Sequence, residues 1–513
     1  MKRSFGPVRG IDINGIVMIK FFIHVHRLLG VLLCILCFSW CISGIVLIYH
    51  GYPRVGPDKR LPRQEALDSA QLPSMQEVWQ RLPKDVLGKN LTLNNPYGRP
   101  VFHYGRWRDI EDVYMDTAYV LPDNTYPLCE EHARLWCPDH HIVKVDTMHK
   151  LDVWIPFGQL KRDLPVYAFY YDGPEHYRLY VSSRTGDILH FSSREQRFWA
   201  WIGAIPHWLY ITSIRQDMQS WNALLYWSTL VSMIMCVAGA FLGVRAYWLN
   251  RRKGLLRSPY KKQWFRWHHI TGFFFGIFLF TWLFSAWAPM SSTFSSLFKQ
   301  QKGKDMASRP QVSDRGALPA EAYQLDYRAA IASIAKEHGE VKEISWGNYQ
   351  DIPLYKVRTV DEIYTLDASA DSVCPFRITE EMVYAAAKKL AGDTVQYTIS
   401  RMEEYDNYYI SRRKGRLPLP AYKVTMETEN NDVYYFNLES ENPQHYDDNG
   451  RWRRWAFRGL HRLDFKFLLD RPVLWTVVMW MLLLGCAFVS LSGIVLSVKY
   501  IIRLIRRPRK CKG

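Results

Sequence analysis

The stretch HRLLGVLLCILCFSWCISGIVLIY, residues 26–49, decides the architecture, because its pattern returns 242 positions later in HHITGFFFGIFLFTWLFSAWAPM, residues 268–290. In that register His26 falls on His268, Gly30 on Gly272, Trp40 on Trp282 and Ser43 on Ser285. Two further apolar stretches align at an offset of 254, which matches His207 with His461, Trp221 with Trp475, Gly239 with Gly493 and Arg245 with Lys499. Two ungapped alignments that each carry a histidine are read as an internal duplication. The larger second offset makes the second of the two long connections the longer one.

Working outward, four runs contain no charged residue: 28–49, 221–244, 270–298 and 472–498. Each exceeds the roughly 20 helical residues needed to cross a hydrocarbon core, so four membrane spans are expected. The formal charge of +17 raises the question of nucleic acid, which the distribution answers. Residues 1–27 carry +4, 245–266 carry +8 and 499–513 carry +7, so the remainder of the chain is slightly acidic. Positive charge confined to span flanks is the positive-inside pattern, and no nucleic-acid partner is expected. Both termini are then cytoplasmic, and the protein is a multi-pass component of a bacterial inner membrane. The first apolar run is too long for a signal peptide, and Trp40 and Tyr49 stand where small residues would mark cleavage, so it is read as a retained span. The expected layout is a cytoplasmic N-terminus (1–20), span 1 (21–49), a first periplasmic domain (50–220), span 2 (221–248), a basic cytoplasmic loop (249–267), span 3 (268–298), a second periplasmic domain (299–471), span 4 (472–502) and a basic tail (503–513).

Both halves start on the same side, so the repeat is parallel, and parallel repeats pack about an axis along the membrane normal. That places His26 opposite His268 near the inner face and His207 opposite His461 near the outer face. A histidine in or beside an apolar span is costly unless paired or bound. Facing neutral imidazoles in a helix bundle suit a metal carried by an apolar ligand, and haem, whose iron takes axial histidines, fits best. Zinc is the weaker reading, since two histidines are too few ligands. His24 and His269 are second choices for the inner pair and His50 for a supporting role. Gly30 and Gly272, one turn beyond the inner histidines, leave either room for a flat macrocycle or a close helix contact. Trp40 and Trp282 either line the path between the sites or fill the bundle.

The connections read as mixed α/β. Alternating strands are expected at 111–118, 177–191, 362–368 and 432–438, with Arg-Thr-Gly-Asp as a hairpin turn, and a helix with a capping-box start at 379–390. Cys34, Cys37, Cys41, Cys236 and Cys486 lie in spans as packing residues. Cys129 and Cys137, in an oxidising compartment, are expected to form a disulfide, with a metal site involving His132, His140 and His141 as the alternative.

These features resemble the PepSY-associated transmembrane family, and within it the bacterial inner-membrane haem-dependent siderophore reductases. The likeness is carried by His26-Arg-Leu-Leu-Gly30, Trp267-His268-His269-Ile-Thr-Gly272, Pro206-His207-Trp208 and Gly459-Leu-His461-Arg, with Tyr180-Val-Ser-Ser-Arg-Thr-Gly186-Asp-Ile-Leu189 close to a PepSY closing strand and turn. It covers roughly residues 20–505. The resemblance implies a membrane α-helical, four-span bundle with two periplasmic α+β (PepSY-like) domains. It further implies two haem b groups, one on His26 with His268 and one on His207 with His461, passing electrons outward to a ferric siderophore or other ferric chelate. Departures are Ala286 where Gly44 predicts glycine, and Val-Ala-Gly239-Ala-Phe where a Thr-Gly pair is expected. The chain has neither a dinucleotide fingerprint nor a P-loop, so the electron donor is external, a quinol or a cytoplasmic reductase. Two other classes compete: an iron or chelate permease, suggested by the parallel repeat, and a non-enzymatic PepSY protein that binds an envelope partner.

Overall fold

The computed structural model describes residues 13–83, 90–106, 109–115, 124–252, 258–290, 317–412 and 416–506. Readings that fall on 1–12, 116–118, 253–257, 291–316 and 507–513 lie outside the described residues. The chain divides into two compact units: Met1–Tyr52, Phe198–Phe298 and Arg453–Gly513 make the first, Pro53–Arg197 and Lys299–Trp452 the second. Described α-helices of eight residues or more are α1 (Ile13–Leu47), α2 (Tyr126–Trp136), α3 (Arg194–Ile202), α4 (Met218–Arg251), α5 (Gln263–Trp287), α6 (Tyr327–His338), α7 (Glu380–Ala391) and α8 (Pro472–Ile505).

In the first unit α1, α4, α5 and α8 are long and apolar enough to cross a membrane. Each is apolar around most of its circumference, which suits lipid on one side and other helices on the other. Their ends have local causes. Asp217 caps α4 by accepting from the Ser220 backbone N–H at 2.8 Å. Pro472 opens α8, where its missing N–H has no partner to lose. Pro289 ends α5 at Trp287 and forces the tighter turn Ala288–Met290. Helix α1 packs against α4 and α8, and α5 packs against the same two, so the helices run around the bundle in the order α1, α4, α5, α8. Ser43, Ser232, Ser285 and Ser492 are fully buried within it, the small residues that let membrane helices approach.

The second unit holds fifteen described strands in three antiparallel sheets. The first connection supplies β1 (Asn90–Asn94), β2 (Val101–Arg106), β3 (Asp109–Tyr114), β4 (Ile142–Met148), β5 (Val166–Tyr171), β6 (Arg178–Ser182) and β7 (Ile188–Ser192). The second supplies β8 (Glu343–Tyr349), β9 (Ile352–Arg358), β10 (Ile363–Asp367), β11 (Cys374–Pro375), β12 (Tyr397–Met402), β13 (Ala421–Met426), β14 (Val433–Asn437) and β15 (Gln444–Tyr446). Each connection folds a four-stranded meander of its own, β4–β7 and β12–β15. The two together build a seven-stranded sheet, β11-β10-β9-β8-β1-β2-β3, that neither makes alone. Its seam is β1 with β8, where Leu91 opposes Trp346 and Leu93 opposes Ile344. These four side chains, with Phe102, Tyr327 and Tyr355, form one apolar core drawn from both connections. Arg60 to Glu343 at 2.6 Å and the Lys342 ammonium on the Gln64 carbonyl at 2.9 Å tie the same seam.

The strands expected at 177–191 form the hairpin β6–β7, and Gly186 takes the left-handed conformation its turn requires (φ +76°). Thr379 caps α7 by accepting from the Met382 N–H. A full capping box would need Glu or Gln at position 382, where Met stands. The expected Cys129–Cys137 disulfide is not formed; both thiols are free and buried. The reason is the helix between them: eight residues at 1.5 Å rise separate the two by about 12 Å, beyond the reach of about 7 Å between Cα atoms that a disulfide allows. Burial pushes both thiols up to about 11. The metal alternative fares no better. Among the described residues no three His, Cys, Asp or Glu side chains are grouped so as to hold a metal ion, and His132 lies on the Gly186 carbonyl and against the Tyr97 ring instead.

Candidate functional site

The first unit brings the four matched histidines together as two pairs. The His26 and His268 rings lie 6.0 Å apart between centroids, and those of His207 and His461 6.2 Å apart. His26 and His268 stand on α1 and α5. His207 ends a single helical turn, Ala204–His207, that leads toward α4. His461 lies in the turn Leu460–Arg462 that follows a π-helical stretch and leads toward α8. Two residues after each of these histidines the chain turns through a left-handed leucine, Leu209 at φ +48° and Leu463 at φ +52°. Behind each turn an indole closes the corner: Trp221 Nε1 donates to the Trp208 carbonyl at 2.7 Å, and Trp475 Nε1 to the Arg462 carbonyl at 3.1 Å.

The hydrogen bonds fix which ring nitrogen each histidine offers. His26 Nδ1 meets the Met235 carbonyl at 3.0 Å, and a carbonyl only accepts, so Nδ1 carries the proton. The other three meet serine hydroxyls: His207 meets Ser43 at 3.0 Å, His461 meets Ser285 at 2.9 Å and His268 meets Ser492 at 2.9 Å. Each of these hydroxyls gives its single proton to a backbone carbonyl one turn back, Ser43 to Trp40, Ser285 to Trp282 and Ser492 to Val489. Each must therefore accept from the imidazole. All four histidines are held with Nδ1 protonated and Nε2 left with its lone pair, and among the described residues no hydrogen bond is made to any of those Nε2 atoms. This is how a hydrogen-bond partner behind a ligating histidine sets its tautomer and orientation.

Outside the spans, loss of water pushes His207 down to about 3, with His461 beside it adding to the effect, and loss of water likewise pushes His461 down to about 4. Both stay neutral at ordinary pH, the form that binds metal.

A metal bonded at about 2 Å to one nitrogen of each ring, with roughly 1 Å more from nitrogen to ring centre, sets two imidazole centroids about 6 Å apart. Both pairs have that spacing. Two imidazoles alone do not complete a zinc site, whereas a haem macrocycle supplies four equatorial nitrogens and leaves two axial positions. The donor set fits haem. The aligned glycines Gly239 and Gly493 are where neighbouring helices come closest to the first pair. A side chain at Gly239 would begin 2.6 Å from His26 Cε1, and one at Gly493 would begin 3.5 Å from His268 Cε1 and 2.7 Å from the Cys34 sulfur. Nothing lies within 4 Å of the Gly272 position, and only the Cys34 sulfur is near Gly30.

The alternative histidines are placed elsewhere. His269 spends both nitrogens, Nδ1 on the Ser258 hydroxyl at 3.0 Å and Nε2 on the Gly243 carbonyl at 3.1 Å, and stacks on Tyr247. His24 is exposed. His50 stacks flat on Trp199 at 4.4 Å. Trp40 donates its Nε1 to the His207 carbonyl at 3.1 Å, so it supports the second pair as well as filling the bundle. The serine anchors escaped the sequence reading. Ser43 and Ser285 were visible there only as aligned positions, although a buried serine facing a histidine across a bundle is a recognisable signal.

The family model of the PepSY-associated TM region matches residues 23–499. No curated protein matches the chain.

Proposed function

The chain belongs to the PepSY-associated transmembrane family, and we propose that within it this protein is a di-haem b electron carrier of the bacterial inner membrane that reduces ferric iron or ferric siderophores in the periplasm. The observation that carries the proposal is the set of four half-buried imidazoles, paired at 6.0 and 6.2 Å, whose Nδ1 protons are all committed to anchors. Haem held by His26 with His268 and by His207 with His461 would supply reversible one-electron transfer near each face of the bilayer. The protein's own part is to hold the rings in one tautomer, to keep them neutral, and to exclude water with the aromatic and thiol side chains packed between the pairs.

Orientation is inferred from charge: the +4, +8 and +7 segments lie at the span ends near His26 and His268 and would be cytoplasmic. Internal duplication is supported by contacts that recur between the halves at the sequence offsets, among them Ser43 to His207 with Ser285 to His461, and Trp221 to Trp208 with Trp475 to Arg462. The electron enters from an external donor, a membrane quinol or a cytoplasmic reductase, and converts the ferric chelate to ferrous iron and free chelator. Hard oxygen donors grip Fe(III) and hold Fe(II) poorly, so the transfer releases the metal.

The test is the spectrum of the purified protein. Two b-type haems per chain with low-spin, bis-histidine signatures are expected. Protein that carries no Soret band after expression with ample haem sinks the proposal.

A further inference from the structure

The two histidine pairs are alike in spacing and unlike in rotation. The His26 and His268 ring planes meet at 41°, those of His207 and His461 at 75°. Every Nδ1 proton is held by an acceptor, the Met235 carbonyl and the Ser492 hydroxyl in the first pair and the Ser43 and Ser285 hydroxyls in the second. An N–H bond of this kind lies in the plane of its imidazole, so each anchor sets the direction of a ring plane as well as a tautomer.

In the second pair one ring has a further support. Phe457 stacks on His461, with centroids 5.2 Å apart and planes within 12° of parallel. It stands four residues before the histidine, in the π-helical stretch Arg454–Gly459, and so on the same side of the helical path. Buried Arg454 donates to the Asp464 carbonyl at 2.7 Å, which ties that stretch to the corner after His461. The first half is built differently at this point. At the offset of 254 Phe457 falls on Gly203, where a side chain would begin 2.8 Å from Val46 Cγ1, so no ring fits there.

We infer that the two haem sites are electronically unlike, the second being a crossed-ligand site in which Phe457 acts through His461 as a positioning residue; the inference rests on the di-haem reading above. An imidazole gives π density to the iron d orbital that lies perpendicular to its ring. Two aligned rings load the same orbital, raise it above its partner and stabilise the ferric hole there. Crossed rings load different orbitals, which stay close in energy, so the ferric form gains less and the site takes an electron more readily. At 75° the second pair is close to crossed, whereas at 41° the first keeps much of the overlap. Ring rotation thus joins burial and hydrogen bonding among the means by which the protein sets each potential, and it draws the electron toward the second pair.

The experiment is low-temperature EPR of the oxidised, haem-loaded full chain, with His268→Ala and His461→Ala used to assign each signal, together with a potentiometric titration read at the haem band. The second site is expected to give the highly anisotropic low-spin signal of crossed imidazoles, with a single resolved low-field feature, and the first site a rhombic three-line signal. Phe457→Ala should keep two haems per chain, move the second signal toward the rhombic type and shift its midpoint potential downward, with the first signal in place. Phe457→Tyr, which keeps a ring, should retain the signals of the unaltered chain. The spectrum of the unaltered chain decides the ring geometry even where Phe457→Ala loses haem. Two haems with indistinguishable signals, or a second signal and potential unmoved in Phe457→Ala, overturn the inference and leave the di-haem reading intact. Protein that binds no haem overturns that reading and this inference with it.

Discussion

In the first histidine pair the imidazoles sit on α1 and α5 and take their anchors from α4 and α8; in the second the imidazoles sit in the turns leading to α4 and α8 and take their anchors from α1 and α5. Each half of the bundle thus clasps itself twice, and a pair arises only where the halves meet. The two pairs also differ in symmetry. The second rests on two serines, Ser43 and Ser285. The first rests on one serine and one backbone carbonyl, and is crowded by Gly239. The lesson is that anchoring is a property of each half, whereas the pairing of the rings is a property of the junction.

The most direct way to break this comparison is to delete one ring from each pair. His268→Ala is expected to remove the first-pair haem and His461→Ala the second, each leaving one of two haems by pyridine haemochrome assay; loss of both from a single change would mean the pairs are not independent. Next in size is Gly239→Val, whose Cβ would begin 2.6 Å from His26 Cε1. Overpacking of this kind costs about 1–3 kcal/mol, and only the first-pair spectrum should be lost.

A finer cut goes to the anchors. Ser285→Ala leaves the His461 N–H without its acceptor, at about 1–3 kcal/mol. It should lower haem retention at the second pair by roughly 10–100-fold, read by competition with apomyoglobin. Ser492→Ala should do the same at the first pair. His269→Phe is expected to leave haem content unchanged, since its nitrogens are already bonded, while thermal stability falls by about 1–2 kcal/mol.

The smallest effect lies in the second unit and serves as a control on acid sensitivity. Burial, with Lys59 and Arg197 adding, pushes His190 down to about 3 from 6.5. The unfolded chain therefore binds the proton first, and stability falls as pH drops below 6.5, continuing to about 3. His190→Gln should flatten the dependence of unfolding temperature on pH between 7 and 5, with neither haem spectrum altered.

Much of the bundle was legible because its signals are local in sequence: uncharged runs, flanking charge, and histidines that recur at fixed offsets. The partner of each imidazole was harder to read. Ser43 and Ser285 stood in register, but a serine in a span usually bonds its own helix, and only packing shows that these hydroxyls also accept from a histidine. Met235 acts through its backbone carbonyl, which no side-chain pattern can announce. Gly30 and Gly272 stood out from spacing along one helix, whereas the close approach of a neighbouring helix at Gly239 and Gly493 shows only in the packing. The disulfide reading failed because closeness in sequence is not closeness in space. Cys129 and Cys137 are close in sequence, and the helix they share keeps them apart.

The seam between β1 and β8 sets a timetable for biosynthesis. Leu93 and Ile344 are partners in the sheet but about 250 residues apart in the chain, so at ribosomal rates of about 5–20 residues per second β1 is made roughly 10–50 s before its neighbour exists. Through that interval β1 has an open edge, and two more apolar helices, α4 and α5, must be synthesised before it can close. An unpaired edge invites the wrong partner. A nascent chain stalled between α5 and β8 should therefore be the species most dependent on chaperones and most prone to degradation.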